Sequence, residues 1–515
     1  MGTGNPKYYP FVIATDLFGP GRRPAGGGGP WMRRGGPAGG FSPSGGGGGG
    51  SSMAGGSGSG LSLGLGLRPG SALGGLIDSL ARNRLAALAA VPISLAALFL
   101  LLMPRAYLWP SAGGGGGMRY GAVVDAGSTG SRIHVFLFRE NPAGLELVSS
   151  DFTQLKPGLS SFAEDPAAGA ASLKPLLERA LMVVPAAQQA ATSLELRATA
   201  GLRFLPGDKS ELILAAVREL FATYPFQSGP ASVSIMDGVD EGGFQWVTHN
   251  YLLGRMGGGF DSTVATIDLG GGSVQLAYAL SPAAAQAAPE GYVREMRGGG
   301  ATYGVYVHSY LGFGLMAARA ATLSAPDAKA KAVAGHACVP NGHKGSYKYH
   351  DEELPAVGRE AGSDHAGCAE AVVSVLKLDA HCPAAPCAFA GSWSGGGGAG
   401  ARAFHVCSYF FDRAQQAGIV AAGEETSAKT TAGAFARAAE AACALDSAQV
   451  AATYPALEAA DAPFFCADLT YASRLLEKGF GIGAEAPITL VKRIKYKGRE
   501  VEASWPLGAA IATLG

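Results

Sequence analysis

The chain has 515 residues, and 48% of them are apolar, which allows two or three domains with sizeable hydrophobic cores. Forty lysine and arginine residues balance forty aspartate and glutamate residues, so the net charge gives no indication of nucleic-acid binding. Many of the 79 glycines fall in runs before residue 118, which sets that part of the chain apart.

The first 84 residues are predicted to be a disordered tail on the cytosolic side of a membrane. Their glycine-rich runs, such as GGGGGGSSMAGGSGSG, cannot bury enough apolar surface to offset the conformational entropy lost on ordering. Eight lysines and arginines stand here against two aspartates, and positive charge is retained on the cytosolic face of membranes.

Residues 85–103 are predicted to be a transmembrane signal anchor. They form an uncharged stretch of 19 residues, about 28 Å long as a helix, against a hydrocarbon core of roughly 30 Å. Residues 104–117 would then be a linker, and the C-terminal bulk would lie in a lumen or outside the cell, as in a single-pass type II protein. A buried core helix and an organelle transit peptide are the alternatives.

Residues 123–138, VVDAGSTGSRIHVFLF, predict a β-hairpin whose first strand ends at Asp125. Residues 265–280, ATIDLGGGSVQLAYAL, repeat the arrangement, with Asp268 ending the first strand and alternating apolar residues typical of a half-buried second strand. Glycines in each turn permit positive φ and close approach, so that backbone N–H groups can converge on an anion. Hydroxyl groups that could join them belong to Ser128, Thr129, Ser131 and Ser273. The repeat predicts two lobes, each presenting a hairpin to a cleft between them.

A divalent cation is expected beside these hairpins. A carboxylate about 4 Å from a phosphate oxygen would cost on the order of 4 kcal/mol at an effective dielectric of 20. Asp125 and Asp268 therefore require a cation between themselves and a polyphosphate, and Mg²⁺ or Ca²⁺ held largely through water suits oxygen ligands. The alternative is that both aspartates only cap turns.

Two common phosphate-binding motifs are excluded. The Walker pattern G-x-x-x-x-G-K-[ST] occurs nowhere in the sequence. A Rossmann fingerprint also fails, because each glycine cluster leads into a strand pattern and not into a helix.

Two further segments could contribute to the same cleft. Residues 232–254, SVSIMDGVDEGGFQWVTHNYLLG, predict a strand and then a helix, with Glu241 at the helix start where its carboxylate could reach a cleft. Glutamate is also common there simply because it interacts favourably with the helix dipole. Residues 196–206, LRATAGLRFLP, predict a strand followed by a turn of small residues that would suit a phosphate site, or would be an ordinary surface turn.

Together these segments resemble the apyrases, or nucleoside triphosphate diphosphohydrolases, especially the plant type and the Golgi nucleoside diphosphatases. DAGSTGSR, ATAGLR, DGVDEGGFQWVTHNY, DLGGGSVQLAY and VEASWPLGAA resemble the five signature regions of that family, in order. The similarity covers nearly all of residues 118–515. It implies an α/β, two-lobed actin-like fold, related to ribonuclease H, sugar kinases and heat-shock chaperone ATPases. Lobe I would comprise residues 118–237 and 483–515, and lobe II residues 238–482.

The resemblance also implies hydrolysis of nucleoside tri- and diphosphates to the monophosphate, with Ca²⁺ or Mg²⁺. Glu241 matches the general base, Ser273 and Gln275 match the groups that orient the attacking water, and the two aspartates match the ligands of the metal's waters. The implied phosphate-binding residues are Ser128, Thr129, Gly130, Ser131, Arg132, Thr199, Gly201, Arg203, Gly270, Gly271 and Gly272. Tyr303, Phe465 and Trp505 are candidates for stacking on the nucleobase, with plain packing as the alternative.

All seven cysteines occur at or after Cys338, on the predicted lumenal side, where disulfides persist. The resemblance implies the pairs Cys382–Cys387, Cys443–Cys466 and Cys338–Cys368, leaves Cys407 free, and favours the Golgi. Histidines near Cys338 match no common zinc spacing.

Two rival functions remain. One is a kinase-like protein or polyphosphate phosphatase of the same fold, and the other is a nucleotide- or carbohydrate-binding protein without turnover. The sequence predicts neither the oligomeric state nor the preferred nucleobase.

Overall fold

The structure, a computed structural model, describes residues 117–514 except 142–143, 325–334, 383 and 398. The predicted tail and anchor, residues 1–84 and 85–103, and nearly all of the predicted linker lie outside the described residues. Among the helices of the described part, none combines the length and the apolar character needed to cross a membrane.

The N-terminal part of the described chain forms a five-stranded mixed sheet with the order β3-β2-β1-β4-β5. Its strands are β1 (Met118–Ala126), β2 (Ser131–Asn141), β3 (Gly144–Leu155), β4 (Ser193–Ala198) and β5 (Val233–Ile235). The helices of this segment are α1 (Pro166–Ala171), α2 (Lys174–Val183), α3 (Ala186–Gln189), α4 (Ala200–Arg203) and α5 (Lys209–Phe221). Apolar side chains of β1, β2 and β4 pack against α2 and α5 in one core.

A seven-stranded sheet with the order β13-β14-β12-β6-β7-β9-β8 follows. Its strands are β6 (Ala265–Leu269), β7 (Ser273–Ala279), β8 (Val293–Gly298), β9 (Ala301–Leu311), β12 (Phe404–Ser408), β13 (Ser427–Thr431) and β14 (Pro487–Val491). Two separate hairpins are β10 (Lys344–Tyr349) with β11 (Glu352–Val357), and β15 (Arg493–Tyr496) with β16 (Arg499–Glu502).

The remaining helices belong to this second half of the chain. They are α6 (Gly238–Leu252), α7 (Pro282–Gln286), α8 (Leu315–Leu323), α9 (His365–Val375), α10 (Tyr409–Gln416), α11 (Ala432–Cys443), α12 (Ser447–Thr453), α13 (Phe465–Arg474) and α14 (Trp505–Leu514). All seven residues of β7 are buried, so the expectation of a half-buried strand was wrong. The reason is that α6 packs on the face of β7 that carries Gln275, where a Cβ on Gly242 would lie only 3.1 Å from Gln275 Cβ.

The two sheets repeat one arrangement of strands. In the first, β1 pairs antiparallel with β2 and parallel with β4. In the second, β6 pairs antiparallel with β7 and parallel with β12. Each parallel neighbour leads into a helix, from β4 to α4 and from β12 to α10. The duplication predicted from the two aspartate hairpins is therefore visible in the strand pairing.

Helices α6 and α14 pack on each other through a close crossing. Gly508 lies against the backbone of Phe244, where any side chain would collide. Thr248 Oγ1 donates to the carbonyl of Ser504 at 3.0 Å and accepts from the amide of Gly508 at 2.9 Å. This crossing holds the start of α14, and Trp505 with it, beside the helix that carries Glu241.

Disulfides join residues of the C-terminal half. The pairs are Cys338–Cys368, Cys382–Cys387 and Cys443–Cys466, the same pairs that the resemblance implies. Cys407 is unpaired and buried in β12. No group of three or more His, Cys, Asp or Glu side chains in the described part of the chain is arranged to bind a metal directly.

Candidate active site

The turns of the two aspartate hairpins lie in contact with each other. A Cβ placed on Gly271 would lie 3.1 Å from Thr129 Cγ2 and closer still to Ser128 Oγ. One placed on Gly201 would lie 2.7 Å from Ser128 Cα. A side chain at Gly271 would crowd the turn of the first hairpin, and one at Gly201, in α4, would collide with the backbone of that same turn.

Both hairpins open onto one cleft of about 560 Å³. Asp125, Asp268 and Glu241 all line it, although they come from separate elements, β1, β6 and α6. The other predicted residues on its surface are Ser128, Thr129, Arg132, Thr199, Gly270, Gly271, Gly272, Ser273 and Trp505. The cleft therefore combines three carboxylates with hydroxyl groups and the backbone of two glycine-rich turns.

The two aspartates are both nearly buried, and burial raises the pKa of each. The pKa of Asp125 rises to about 6, mainly through burial; Arg132, with Nη1 3.5 Å from Asp125 Oδ2, lowers it, and the negative charge of Asp268 raises it. Burial likewise raises the pKa of Asp268, while a hydrogen bond from Ser408 lowers it. Two buried carboxylates, one of which raises the pKa of the other, are typical of a site that a cation neutralises.

Asp125 has a further property that fits a cation. Its Oδ1 atom is buried and has no hydrogen-bond partner among the described residues. A buried carboxylate oxygen without a partner is costly, and a hydrated Mg²⁺ or Ca²⁺ would satisfy it. The oxygen donors of Asp125 and Asp268 therefore fit a divalent cation bound through water.

Glu241 stands in the first turn of α6, which Asp237 caps by accepting a hydrogen bond from Val239. Its Oε2 atom accepts a hydrogen bond from Arg203 at 2.5 Å and lies 3.3 Å from Gln275 Nε2. Burial raises the pKa of Glu241 to about 7, against the lowering effect of Arg203 and with a smaller increase from the two aspartates. A carboxylate with such a pKa can accept a proton near neutral pH.

Gln275 is buried and is not among the cleft-lining residues, and a short hydrogen-bond network fixes its orientation. Its Nε2 atom donates to Ser273 Oγ at 2.8 Å and to Ser309 Oγ at 3.0 Å, besides its contact with Glu241. Ser309 lies on β9, opposite Gln275 in the sheet register. Sequence reasoning missed Ser309, because only the pairing of β7 with β9 brings it here.

Arg203 has a different position from the one expected of a phosphate ligand. It is not among the cleft-lining residues, and its guanidinium contacts Glu241 Oε2 and the carbonyl oxygen of Met236. Gly130, Ser131 and Gly201 are also buried and absent from the cleft surface. None of these four residues lines the cleft, and their assignment as phosphate-binding residues stays a prediction.

Two of the three predicted nucleobase residues lie in the core, so that part of the prediction needs correction. Phe465 is fully buried and packs edge-on against Tyr454. Tyr303 is 3% exposed, and its hydroxyl bonds the backbone of Gly257 and Gly258. Both rings therefore contribute to packing, that of Tyr303 against Trp246. Trp505 does line the cleft.

The structure adds cleft residues that the sequence did not single out. Tyr409 follows β12 and lines the cleft, as do Gln154 and Lys156 at the end of β3. Lys156 Nζ lies 2.7 Å from Glu458 Oε1 across a sequence separation of 302 residues. Such a separation leaves no local signal in the sequence.

Comparison with known proteins agrees with this geometry. Residues 116–514 match the model of the GDA1/CD39 (nucleoside phosphatase) family. "Probable apyrase 2" of Oryza sativa subsp. japonica is 43% identical over 435 residues, which cover 82% of this chain and 92% of the relative. "Apyrase" of Solanum tuberosum is 42% identical over 401 residues, or 76% of this chain and 87% of the relative.

Among solved structures, the chain resembles a nucleoside triphosphate hydrolase from Neospora caninum. The TM-score is 0.56 at 14% identity, and the match covers 83% of this chain and 96% of that one. At this level of identity the similarity concerns the fold, and it confirms the predicted α/β, two-lobed class.

Proposed function

The chain belongs to the GDA1/CD39 (nucleoside phosphatase) family, and we propose that it is a divalent-cation-dependent apyrase that hydrolyses nucleoside tri- and diphosphates to the monophosphate. The observation that carries this proposal is the convergence of Glu241, Asp125 and Asp268 on one cleft between two glycine-rich turns. Relatives named apyrase, 42–43% identical over most of their length, support the same reaction.

Glu241 is the general base in this proposal. It accepts a proton from a water molecule directed at the terminal phosphorus, and its pKa near 7 leaves much of it ionised at neutral pH. Ser273, which lines the cleft, orients that water beside the carboxylate, and Gln275, behind the cleft surface, holds Ser273 Oγ at 2.8 Å. Positioning of this kind supplies most of the rate acceleration in phosphoryl transfer.

Asp125 and Asp268 hold the waters of the cation, which we propose to be Ca²⁺ or Mg²⁺. When bound, the cation neutralises negative charge on the phosphate oxygens. Ser128, Thr129 and Thr199, with the amides of the two turns, bind the same oxygens from the cleft wall. Arg132 is shared between Asp125 and the first turn, since its Nη1 also donates to the carbonyl of Gly130 at 3.3 Å.

The nucleoside is proposed to lie against the aromatic side chains of the cleft. Trp505 and Tyr409 line it from α14 and α10, and either ring could stack on a base. This replaces the predicted role of Tyr303 and Phe465, whose rings are buried elsewhere.

We also propose a secretory-pathway location, the Golgi lumen being the specific expectation, with a single N-terminal anchor. The support is the uncharged stretch 85–103 after a basic tail and three disulfides in the catalytic part. The lobe boundaries, 118–237 with 483–515 and 238–482, remain part of the same proposal.

Phosphate release by the full-length chain tests the function. We expect release from ATP, ADP, GDP and UDP that stops when a chelator removes the divalent cation. Tripolyphosphate should be a poor substrate, because it lacks the nucleoside. Efficient release from tripolyphosphate alone would identify a polyphosphate phosphatase instead, and binding of ATP without any release would identify a nucleotide-binding protein.

A further inference from the structure

Ser408 ends β12, immediately precedes α10 and lines the cleft. Its Oγ atom donates a hydrogen bond to Asp268 Oδ1 at 2.5 Å. The two residues come from adjacent parallel strands, β12 and β6, in which Ser408 is in register with Leu269. The resemblance to known motifs did not point to this serine.

The backbone of Ser408 is in a conformation that residues with a side chain rarely adopt. Its φ is 58° and its ψ is −124°. Strained backbone of this kind persists only where the surrounding structure enforces it, and it is concentrated at functional sites. Glycine would adopt the same conformation without strain, so the presence of serine suggests that its hydroxyl is needed.

The hydroxyl of Ser408 does not cap the following helix, as the hydroxyl of an N-cap serine usually does. Ser408 is the N-cap residue of α10, where a serine normally accepts a hydrogen bond from an amide of the first turn. No such bond forms here. The side chain is directed to Asp268 instead, so the stability of α10 does not explain the choice of residue.

The duplicated architecture gives an independent reason to place Ser408 in the site. Thr199 follows β4, the parallel neighbour of β1, and Ser408 ends β12, the parallel neighbour of β6. Both are N-cap residues of the following helix, although Thr199 stands two residues and Ser408 one residue after the strand partner of the aspartate. Both residues line the cleft.

We infer that Ser408 is a positioning residue that fixes the carboxylate of Asp268, leaving Oδ2 to hold a water of the divalent cation. This inference rests on the proposed function. Hydrogen-bond partners of metal-binding groups typically change metal affinity 10- to 100-fold when they are removed. Because Asp268 acts through water, we expect the lower end of that range.

The test is Mn²⁺ binding to the full-length chain, followed through the loss of the free Mn²⁺ signal in electron paramagnetic resonance. Ser408→Gly removes the hydroxyl and relieves the backbone strain, whereas Ser408→Ala removes the hydroxyl and keeps the strain. Both should weaken Mn²⁺ binding about tenfold. The unfolding temperature of Ser408→Gly should equal or exceed that of Ser408→Ala.

Ser504→Ala is the matched control, because Ser504 lines the same cleft and its buried hydroxyl has no partner in the part of the chain that the structure describes. It should bind Mn²⁺ like the wild-type chain. Mn²⁺ affinity of Ser408→Gly within twofold of wild type would overturn the inference, as would an equal loss in Ser504→Ala. Failure of the wild-type chain itself to bind Mn²⁺ would overturn the proposed metal site, and the role of Ser408 with it.

Discussion

Arg203 Nη2 lies 2.5 Å from Oε2 of Glu241, and the side chains of both residues are largely buried. The proposed general base is thus already part of an ion pair before any substrate binds. Burial nevertheless raises the pKa of Glu241 to about 7, so desolvation outweighs the effect of the guanidinium. Arg203 keeps that pKa within a range where a base can act at neutral pH.

Arg203→Gln should shift the pH dependence of hydrolysis. Without the positive charge, the pKa of Glu241 rises above about 7, so more of the carboxylate is protonated at neutral pH. The acidic limb of the profile of kcat/KM against pH should move to higher pH. Arg197→Gln is the control, because Arg197 pairs with Glu195 at 2.8 Å and does not line the cleft. An unchanged acidic limb in Arg203→Gln would contradict the assignment.

Glu241→Gln should lower kcat by roughly 10²- to 10⁴-fold, because the amide cannot accept the proton of the attacking water. Binding of a non-hydrolysable ATP analogue, measured by calorimetry, should stay close to that of the wild type. Asp240→Asn changes the preceding carboxylate, which is not among the cleft-lining residues. This variant should retain the wild-type rate, and equal loss in both variants would point to a structural effect on α6.

Asp125→Asn should stabilise the protein when no divalent cation is present. The pKa of Asp125 is raised from 3.8 to about 6, so the folded state binds more protons than the unfolded state within this window. The unfolding free energy therefore falls as the pH rises from about 4 to about 6 and stays lower above it. The asparagine variant has no carboxylate to ionise, so its unfolding free energy at pH 8 should exceed that of the wild type by about 3 kcal/mol.

Urea unfolding with a chelator at pH 4 and pH 8 would measure this gain, with the exposed Asp261→Asn as the control. Added Mg²⁺ and nucleotide should stabilise the wild-type chain more than Asp125→Asn. If the variant were less stable than the wild type at pH 8 without metal, the ionised carboxylate of Asp125 would not destabilise the metal-free protein.

The ion pair between Lys156 and Glu458 should contribute little to stability. Both side chains are more than half exposed, at 61% and 65%, and ion pairs in such surroundings contribute about 0.2–1 kcal/mol. A double-mutant cycle with Lys156→Ala and Glu458→Ala, measured by urea unfolding, should give a coupling below about 1 kcal/mol. A coupling of several kcal/mol would contradict its assignment as an ordinary exposed ion pair.

Much of the candidate site could be predicted from the sequence, because several of its residues lie in short, recognisable motifs. The two aspartate hairpins and Glu241 could be recognised locally, and the family match confirms the resemblance to apyrases. Ser309 and Ser408 could not be found in this way. Each reaches the site through strand pairing, β7 with β9 and β6 with β12, which the sequence does not specify.

Aromatic residues were the least predictable part. Phe465 and Tyr303 are aromatic residues of the kind that stack on a nucleobase, but both are buried in the core. Only the packing of the folded chain distinguishes a stacking role from a core role. Tyr409 was overlooked because a tyrosine after a strand has many possible roles. The misjudged burial of β7 has a related cause, since the long-range approach of α6 covers the strand's second face.

The disulfides of the described residues all lie between Cys338 and Cys466, on the same side of the chain as Asp268. The sequence before Cys338, which includes Asp125 and its sheet, contains no cysteine. The two longer ones span 30 and 23 residues, and each is worth about 3–4 kcal/mol in loop-entropy terms. In a reducing host, the disulfides do not form, and only the part of the chain that contains Asp268 loses their stabilising contribution. In protein produced in a bacterial cytosol, we therefore expect the part of the structure around Asp268 to be destabilised more than the part around Asp125.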